Sequence, residues 1–236
     1  MLVGTRTVRR RRSILVLAVL AALAAGAGVL VPGIAPGWTG PAGGGDALSL
    51  TVLDERTPVP DYRRDAFGAA WADIDGNGCA QRQDVLARDL RDITRDGCTV
   101  LTGVLDDPYT GTEIRFRHDR VAAPGEPGST AVQIDHVVSL AAAWRGGAST
   151  WTDAERERFA NSLENLLAVD GAANQAKGSK GPAAWLPPDP GAHCAYADRY
   201  VGIALRWRIA VPATDRDALA AVLAGCDADG RGRVDR

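Results

Sequence analysis

The stretch Val132-Gln133-Ile134-Asp135-His136 decides the fold, together with two later segments, 165–169 (Asn-Leu-Leu-Ala-Val) and 174–178 (Asn-Gln-Ala-Lys-Gly). The first segment is typical of a short β-strand and ends in an acid and an imidazole. The second predicts another short strand preceded by an asparagine, and the third lies in a helix predicted over 172–177. Two short strands and a helix can form a compact ββα unit. Such a unit would bring Asp135, His136 and Asn174 to one point.

The rest of the chain predicts an α+β domain in which this unit is embedded. A capping box at Thr152 and Glu155 indicates the start of a helix, and two helices are predicted to close the domain as a pair. Turn residues at 106–111 separate two alternating segments, which is typical of a hairpin. The predicted elements outside the unit are helices over 61–71, 83–90, 152–160, 192–208 and 214–226 and strands over 98–105 and 112–116.

The charge of the chain is unevenly distributed. Five of the 27 basic residues precede the first acid, Asp46, so the rest of the chain carries 22 basic residues against 29 acidic ones. An acidic body argues against a protein that holds nucleic acid through its overall charge. Any anion that it binds must therefore meet a local basic group or a bound cation.

The first 31 residues are typical of an export signal. Four arginines at 9–12 precede the uncharged stretch 14–31, and a small-residue segment lies at 25–27. Eighteen apolar residues are also just long enough to cross a bilayer, so an uncleaved anchor is the alternative. The Gly- and Pro-rich segment 32–50 predicts a linker. A cleaved export signal and an uncleaved anchor would both place the folded domain outside the cytoplasm.

Four cysteines, Cys79, Cys98, Cys194 and Cys226, fit an oxidising compartment. They form no Cys-x-x-Cys pair, which argues against structural zinc, and they allow three disulfide pairings. We predict Cys79–Cys98 and Cys194–Cys226 because each pair brackets a local unit. In an antiparallel helix pair, the start of one helix and the end of the next are neighbours. Four buried free thiols are the alternative.

The polar residues of the ββα unit suit the cleavage of phosphodiesters. Asp135 and Asn174 offer the oxygen ligands that Mg²⁺ prefers, with Mn²⁺ as a second candidate ion. His136, neutral near pH 7, can take a proton from the attacking water. Asn165 is expected to brace the loop that carries His136 through side-chain to backbone hydrogen bonds. Lys177, one helical turn after Asn174, is expected on the same helix face, where it would hold a flanking phosphate.

These segments carry a resemblance to a known family. Together with Val137-Val138-Ser139-Leu140, Ala143-Trp144, Gly147-Ala148, Trp151 and Trp185-Leu186-Pro187, they resemble the HNH (His-Me finger, ββα-metal) nucleases. The chain looks most like a secreted bacterial branch related to the nuclease part of GmrSD-type restriction enzymes, over roughly residues 55 to 226.

The resemblance implies a monomeric, metal-dependent endonuclease domain over 51–228 with a tail over 229–236. Its substrate would be DNA, with RNA as a second candidate, and it would need no nucleotide cofactor. His136 would be the base, Asp135 and Asn174 the metal ligands, and Asn165 the central asparagine.

The sequence also indicates a second metal site, at residues 73–84. Asp73, Asp75, Asn77 and Asp84 have the spacing of an EF-hand loop and would hold a structural Ca²⁺. The alternative is a polar Asx/Gly turn held in place by Cys79.

Two other functions remain open from the sequence. A non-catalytic, disulfide-bridged extracellular binding module could use the same fold. A metal-dependent hydrolase of another phosphodiester would share the same residues.

Overall fold

The computed structural model describes residues 46–226 of the 236-residue chain. The predicted signal or anchor over 1–31, the linker up to residue 45 and the tail over 229–236 lie outside the described residues. The predicted linker extends to residue 50, but Ala47 and Leu50 are buried in the core. The folded part therefore includes residues 46–50.

The described residues form six α-helices and five β-strands, which confirms the α+β class. In chain order these are α1 (Gln81–Asp89), β1 (Arg91–Asp96), β2 (Thr99–Asp106), β3 (Glu113–Arg117), β4 (Val132–His136), α2 (Leu140–Arg145), α3 (Asp153–Ala160), β5 (Leu166–Asp170), α4 (Gly171–Lys177), α5 (His193–Arg206) and α6 (Ala213–Ala224). None of these helices is long and apolar enough to cross a membrane.

Two antiparallel sheets organise the strands. One has the order β1-β2-β3, and the other is the hairpin of β4 and β5, in which Asp135 lies opposite Leu167 and His136 opposite Leu166. Helix α4 follows β5 directly, with Asp170 as its N-cap. The ββα unit predicted from the sequence is therefore present.

Two apolar cores hold the hairpin from different sides. One lies between α1, the three-stranded sheet and the hairpin, and contains Leu86, Phe116 and Leu166. The other is formed mainly by α2, α3, α5 and α6, with Phe159 and Tyr200 among its fully buried side chains. The hairpin contributes residues to both cores, so its position is fixed by both.

The prediction of a helix over residues 61–71 is wrong. Only a 3₁₀ turn, Arg64–Phe67, forms there. Phe67 is buried in the core, and Gly68 follows with a φ of 75°. A Cβ at Gly68 would lie 2.8 Å from Glu157 Oε1, so the chain turns where only glycine fits.

Two elements were not predicted, β1 and α2. Strand β1 lies at the edge of its sheet and its side chains are almost all exposed, so it lacks the apolar alternation that indicates a strand. Helix α2 has only six residues, and Ser139 caps it by accepting a hydrogen bond from the Ala142 amide. The capping box predicted at Thr152 is present, with both reciprocal hydrogen bonds.

Both predicted disulfides are confirmed. Cys79–Cys98 joins the loop before α1 to the turn between β1 and β2, with 5.5 Å between the Cα atoms. Cys194–Cys226 joins the start of α5 to the second residue after α6, with 5.9 Å between the Cα atoms. Each bridge closes a local unit, as the spacing predicted.

Candidate active site

The loop after β4 is braced by Asn165, which is completely buried. Its side-chain oxygen accepts a hydrogen bond from the Val138 amide at 2.9 Å, and its side-chain amide donates to the Val138 carbonyl at 3.1 Å. The Asn165 carbonyl also accepts from the Val137 amide at 2.9 Å. These contacts are the backbone hydrogen bonds expected of Asn165, and they fix the chain immediately after His136.

His136 is held at the end of β4 in one orientation. Its Nε2 lies 2.7 Å from the carbonyl oxygen of Ala160, the last residue of α3. A carbonyl only accepts, so Nε2 carries the proton and Nδ1 carries the free lone pair. Burial lowers the pKa of His136 to about 4, although the Ala160 carbonyl acts in the opposite direction. The imidazole is therefore neutral at pH 7.

Trp71 forms a wall beside His136. The two rings are nearly parallel, at 14°, with their centroids 6.1 Å apart. Trp71 has a φ of 61°, a conformation that is costly for a bulky residue. Its carbonyl accepts a hydrogen bond from the Gln81 amide at the start of α1. Such strain persists only where the surrounding structure imposes it, and here it lies next to the candidate base.

A pocket of about 270 Å³ opens next to this pair of rings. Its walls include the apolar side chains of Phe67 and Leu140 and the charged residues Arg64 and Asp65. The full lining is Arg64, Asp65, Phe67, Gly68, Ala69, Ala70, Trp71, His136, Leu140, Ala160 and Asn161. A water molecule or a small part of a substrate in this pocket can therefore lie next to the imidazole.

Asp135 lies in a closed, polar environment on the other side of the strand. It is 5% exposed, and each of its carboxylate oxygens has a partner. Lys177 Nζ donates to Oδ1 at 2.9 Å, and the Tyr109 hydroxyl donates to Oδ2 at 2.6 Å. Burial raises the pKa of Tyr109 well above its ordinary value, so the phenol keeps the proton that it donates. The negative charge of Asp135 is thus compensated inside the protein.

The phosphate-binding role predicted for Lys177 is wrong in this arrangement. Lys177 does share a helix face with Asn174, but that face of α4 packs against β4. Asn174 donates to Gln133 Oε1 at 2.8 Å, and Lys177 contacts Asp135 two residues further along the strand. Lys177 is 0% exposed and also donates to the His136 carbonyl. A group this deeply buried cannot reach the phosphate of a substrate.

The predicted metal ligands do not form a site that fits a divalent ion. Both carboxylate oxygens of Asp135 accept hydrogen bonds inside the protein. Asn174 donates to Gln133 through Nδ2, a bond that does not involve its potential ligand atom, Oδ1. A cation placed at Asp135 would lie beside the ammonium group of Lys177, which repels it. Across residues 46–226, no group of three or more His, Cys, Asp or Glu is arranged to hold a metal ion.

The loop of the predicted calcium site is an Asx/Gly turn. Asp73 accepts hydrogen bonds from the backbone amides of Gly76, Asn77 and Gly78, and Asp75 accepts from Asn77. Asp84, on α1, has a raised pKa because of its burial. Asp73 and Asp75 bind the loop backbone, as in the alternative of a polar turn held by Cys79. Asp84 Oδ2 is buried without a hydrogen-bond partner among the described residues, and calcium binding by this loop stays a prediction.

Three residues of the site were not identified from the sequence: Arg64, Trp71 and Tyr109. Arg64 and Trp71 belong to the segment that was predicted as a helix, where no local pattern marks them. Tyr109 lies in the predicted turn between β2 and β3, and its partner Asp135 is 26 residues away. Only the tertiary structure brings these side chains to β4.

The fold and the site together define a disulfide-bridged α+β domain built around a histidine-bearing hairpin and helix. The chain matches the family model of the GmrSD restriction endonucleases, C-terminal domain, over residues 80–222. This match covers more than half of the chain, and the protein belongs to that family.

A fungal relative extends the similarity. A protein of Arthroderma benhamiae, named only as an uncharacterized secreted protein, is 35% identical over 182 residues, which are 76% of this chain and 82% of the relative. No solved structure matches the chain.

Proposed function

We propose that this protein is an extracytoplasmic nuclease of the HNH type that hydrolyses phosphodiester bonds of DNA, with His136 as the general base. Membership of a restriction-endonuclease domain family supports nuclease activity. The secreted relative and the two disulfides support a location outside the cytoplasm. The observation that carries the proposal is the neutral His136, which lines a pocket and is held by the Ala160 carbonyl through Nε2, so that Nδ1 carries the lone pair.

The proposed step is direct hydrolysis. A water oxygen attacks phosphorus while His136 Nδ1 takes its proton, the phosphorus–oxygen bond to the leaving group breaks, and the leaving oxygen takes a proton from solvent. The negative charge of a phosphodiester in the pocket favours the protonated imidazole, so substrate binding raises the pKa of His136 towards neutrality. That shift makes the imidazole a better base when the substrate is present.

The test is nicking of supercoiled plasmid by oxidised protein, with Mg²⁺, with Mn²⁺ and with EDTA. In the condition that supports cutting, His136→Ala should reduce the rate by about 10²–10⁴-fold, the usual contribution of a general base. The matched control is His193→Ala, since His193 Nε2 also lies near a carbonyl, that of Pro187, at 2.9 Å. A His136→Ala protein that cuts as fast as His193→Ala contradicts the proposal.

A binding module without catalysis is the second candidate. The closed pair of Asp135 and Lys177 favours it, because this pair leaves no open acidic site for an ion. Absence of nicking by folded, oxidised protein in every metal condition, together with measurable DNA binding, would favour the module over the nuclease.

A further inference from the structure

Arg64 lies at the pocket beside His136 without an internal partner. Its side chain is exposed and lines the pocket, and no ion pair involves it among residues 46–226. The neighbouring Arg63 differs, because it forms a two-point ion pair with Asp65, at 2.8 Å and 3.3 Å. The acidic residue of the pocket is thus already neutralised, whereas the guanidinium of Arg64 is available to an anion.

The position of Arg64 is suited to an anion that reaches His136. Arg64 and His136 line the same pocket, so an anion bound by Arg64 there lies close to the imidazole. A guanidinium matches the oxygens of a phosphate with two parallel hydrogen bonds. Because the body of the protein is acidic, such a local group is what phosphate binding requires.

The volume and the lining of the pocket determine which chemical group, attached to the phosphate, can bind there. About 270 Å³ is slightly less than the volume of a site for a drug-sized ligand, so the pocket suits a single ring system. Phe67 and Leu140 supply apolar surface, and Trp71 supplies an indole. Indoles stack on nucleobases without regard to sequence.

We infer that this pocket takes one nucleotide of the substrate, with Arg64 binding its phosphate and Trp71 packing against its nucleoside. This inference rests on the proposed nuclease function and specifies its substrate site. Arg64 would thus bind the phosphate, which the buried Lys177 cannot reach.

The test measures binding separately from cutting. A labelled short DNA duplex is titrated in EDTA with the His136→Ala protein, over salt concentrations from about 50 to 200 mM. Adding Arg64→Ala should reduce the slope of log K against log salt by about 0.9, the value of one lost phosphate contact. The matched control is Arg56→Ala, which removes an exposed arginine that pairs with Asp54 and does not line the pocket, and which should leave the slope unchanged.

A second measurement tests the stacking surface. Deoxyadenosine monophosphate should displace the labelled DNA better than inorganic phosphate does, and Trp71→Ala should reduce this advantage at least about fivefold, the lower end of one base–aromatic stack. Thermal unfolding of each variant checks that it is folded.

Three results would overturn the inference: equal slopes in Arg64→Ala and its parent, an equal decrease of the slope in Arg56→Ala and Arg64→Ala, or binding that does not depend on salt. Each leaves the nicking assay of His136→Ala intact, so failure of the substrate site is distinguishable from failure of the proposed nuclease.

Discussion

Asp135 and His136 are adjacent on β4, but their side chains lie in opposite environments. Asp135 is buried between Lys177 and Tyr109, and its charge is compensated. His136 lies beside Trp71 at a pocket, with one ring nitrogen bound to a carbonyl and the other free. The difference follows from the strand itself, because successive side chains point to opposite faces.

The comparison shows that an Asp-His pair at the end of a strand need not act as one chemical unit. The Asp135 face contacts α4 and resembles the interior of the protein, so its contacts should contribute mainly to stability. The His136 face lines a pocket, and under the proposed function its contacts should contribute mainly to reactivity. Substitutions on each face should separate these two contributions.

Replacement of Lys177 by methionine should lower the free energy of unfolding by about 3–5 kcal/mol, because it leaves Asp135 buried without its cation. Urea unfolding measures the change. The matched control is Lys180→Met, since Lys180 is exposed and its Nζ donates to the Ala176 carbonyl. A loss below about 1 kcal/mol, the value of an exposed pair, would mean that the ion pair is not buried as described.

Acid should destabilise the protein through His136. Its pKa of about 4 in the folded state lies below the value of 6.5 for an exposed imidazole, so the unfolded chain binds the proton first as the pH falls. The contribution of His136 is complete above pH 6.5 and is lost as the pH falls from 6.5 to about 4, by up to about 3 kcal/mol.

The pH dependence is isolated by subtraction. The free energy of unfolding is measured against pH for the parent and for His136→Ala, and the difference between the two curves removes the contribution of the carboxyl groups. Parallel curves between pH 4 and pH 6.5 would show that His136 has the pKa of an exposed imidazole.

Replacement of Tyr109 by phenylalanine should cost about 1.5–3 kcal/mol, because it removes a hydrogen bond to a charged group and keeps the ring. Tyr196→Phe is the control. The Tyr196 hydroxyl is buried without a hydrogen-bond partner among the described residues, so its removal should be neutral or slightly stabilising. Equal effects of the two changes would contradict the assigned contact between Tyr109 and Asp135.

Much of the fold was predictable because its signals are local. The hairpin of β4 and β5, helix α4 and the capping box at Thr152 follow from apolar spacing and capping residues within a few positions. The two disulfides followed from the arrangement of the cysteines around local units. Strand β1 was missed because an exposed edge strand needs no apolar alternation.

The site was predictable only in part. The sequence placed His136 and Asn165 at the ends of neighbouring strands, and the structure shows the bracing hydrogen bonds of Asn165. The i, i+3 spacing correctly placed Asn174 and Lys177 on one face of α4. Spacing along a helix cannot say what that face packs against, so the burial of Lys177 against Asp135 could not be predicted.

The most direct test of the division between the two faces of β4 is the rate of plasmid nicking per folded molecule in Lys177→Met. We expect this rate to stay within about tenfold of the parent, whereas His136→Ala should lose about 10²–10⁴-fold. If Lys177→Met lowers the nicking rate per folded molecule as much as His136→Ala does, Lys177 takes part in the reaction and the two faces of β4 are not separate in function.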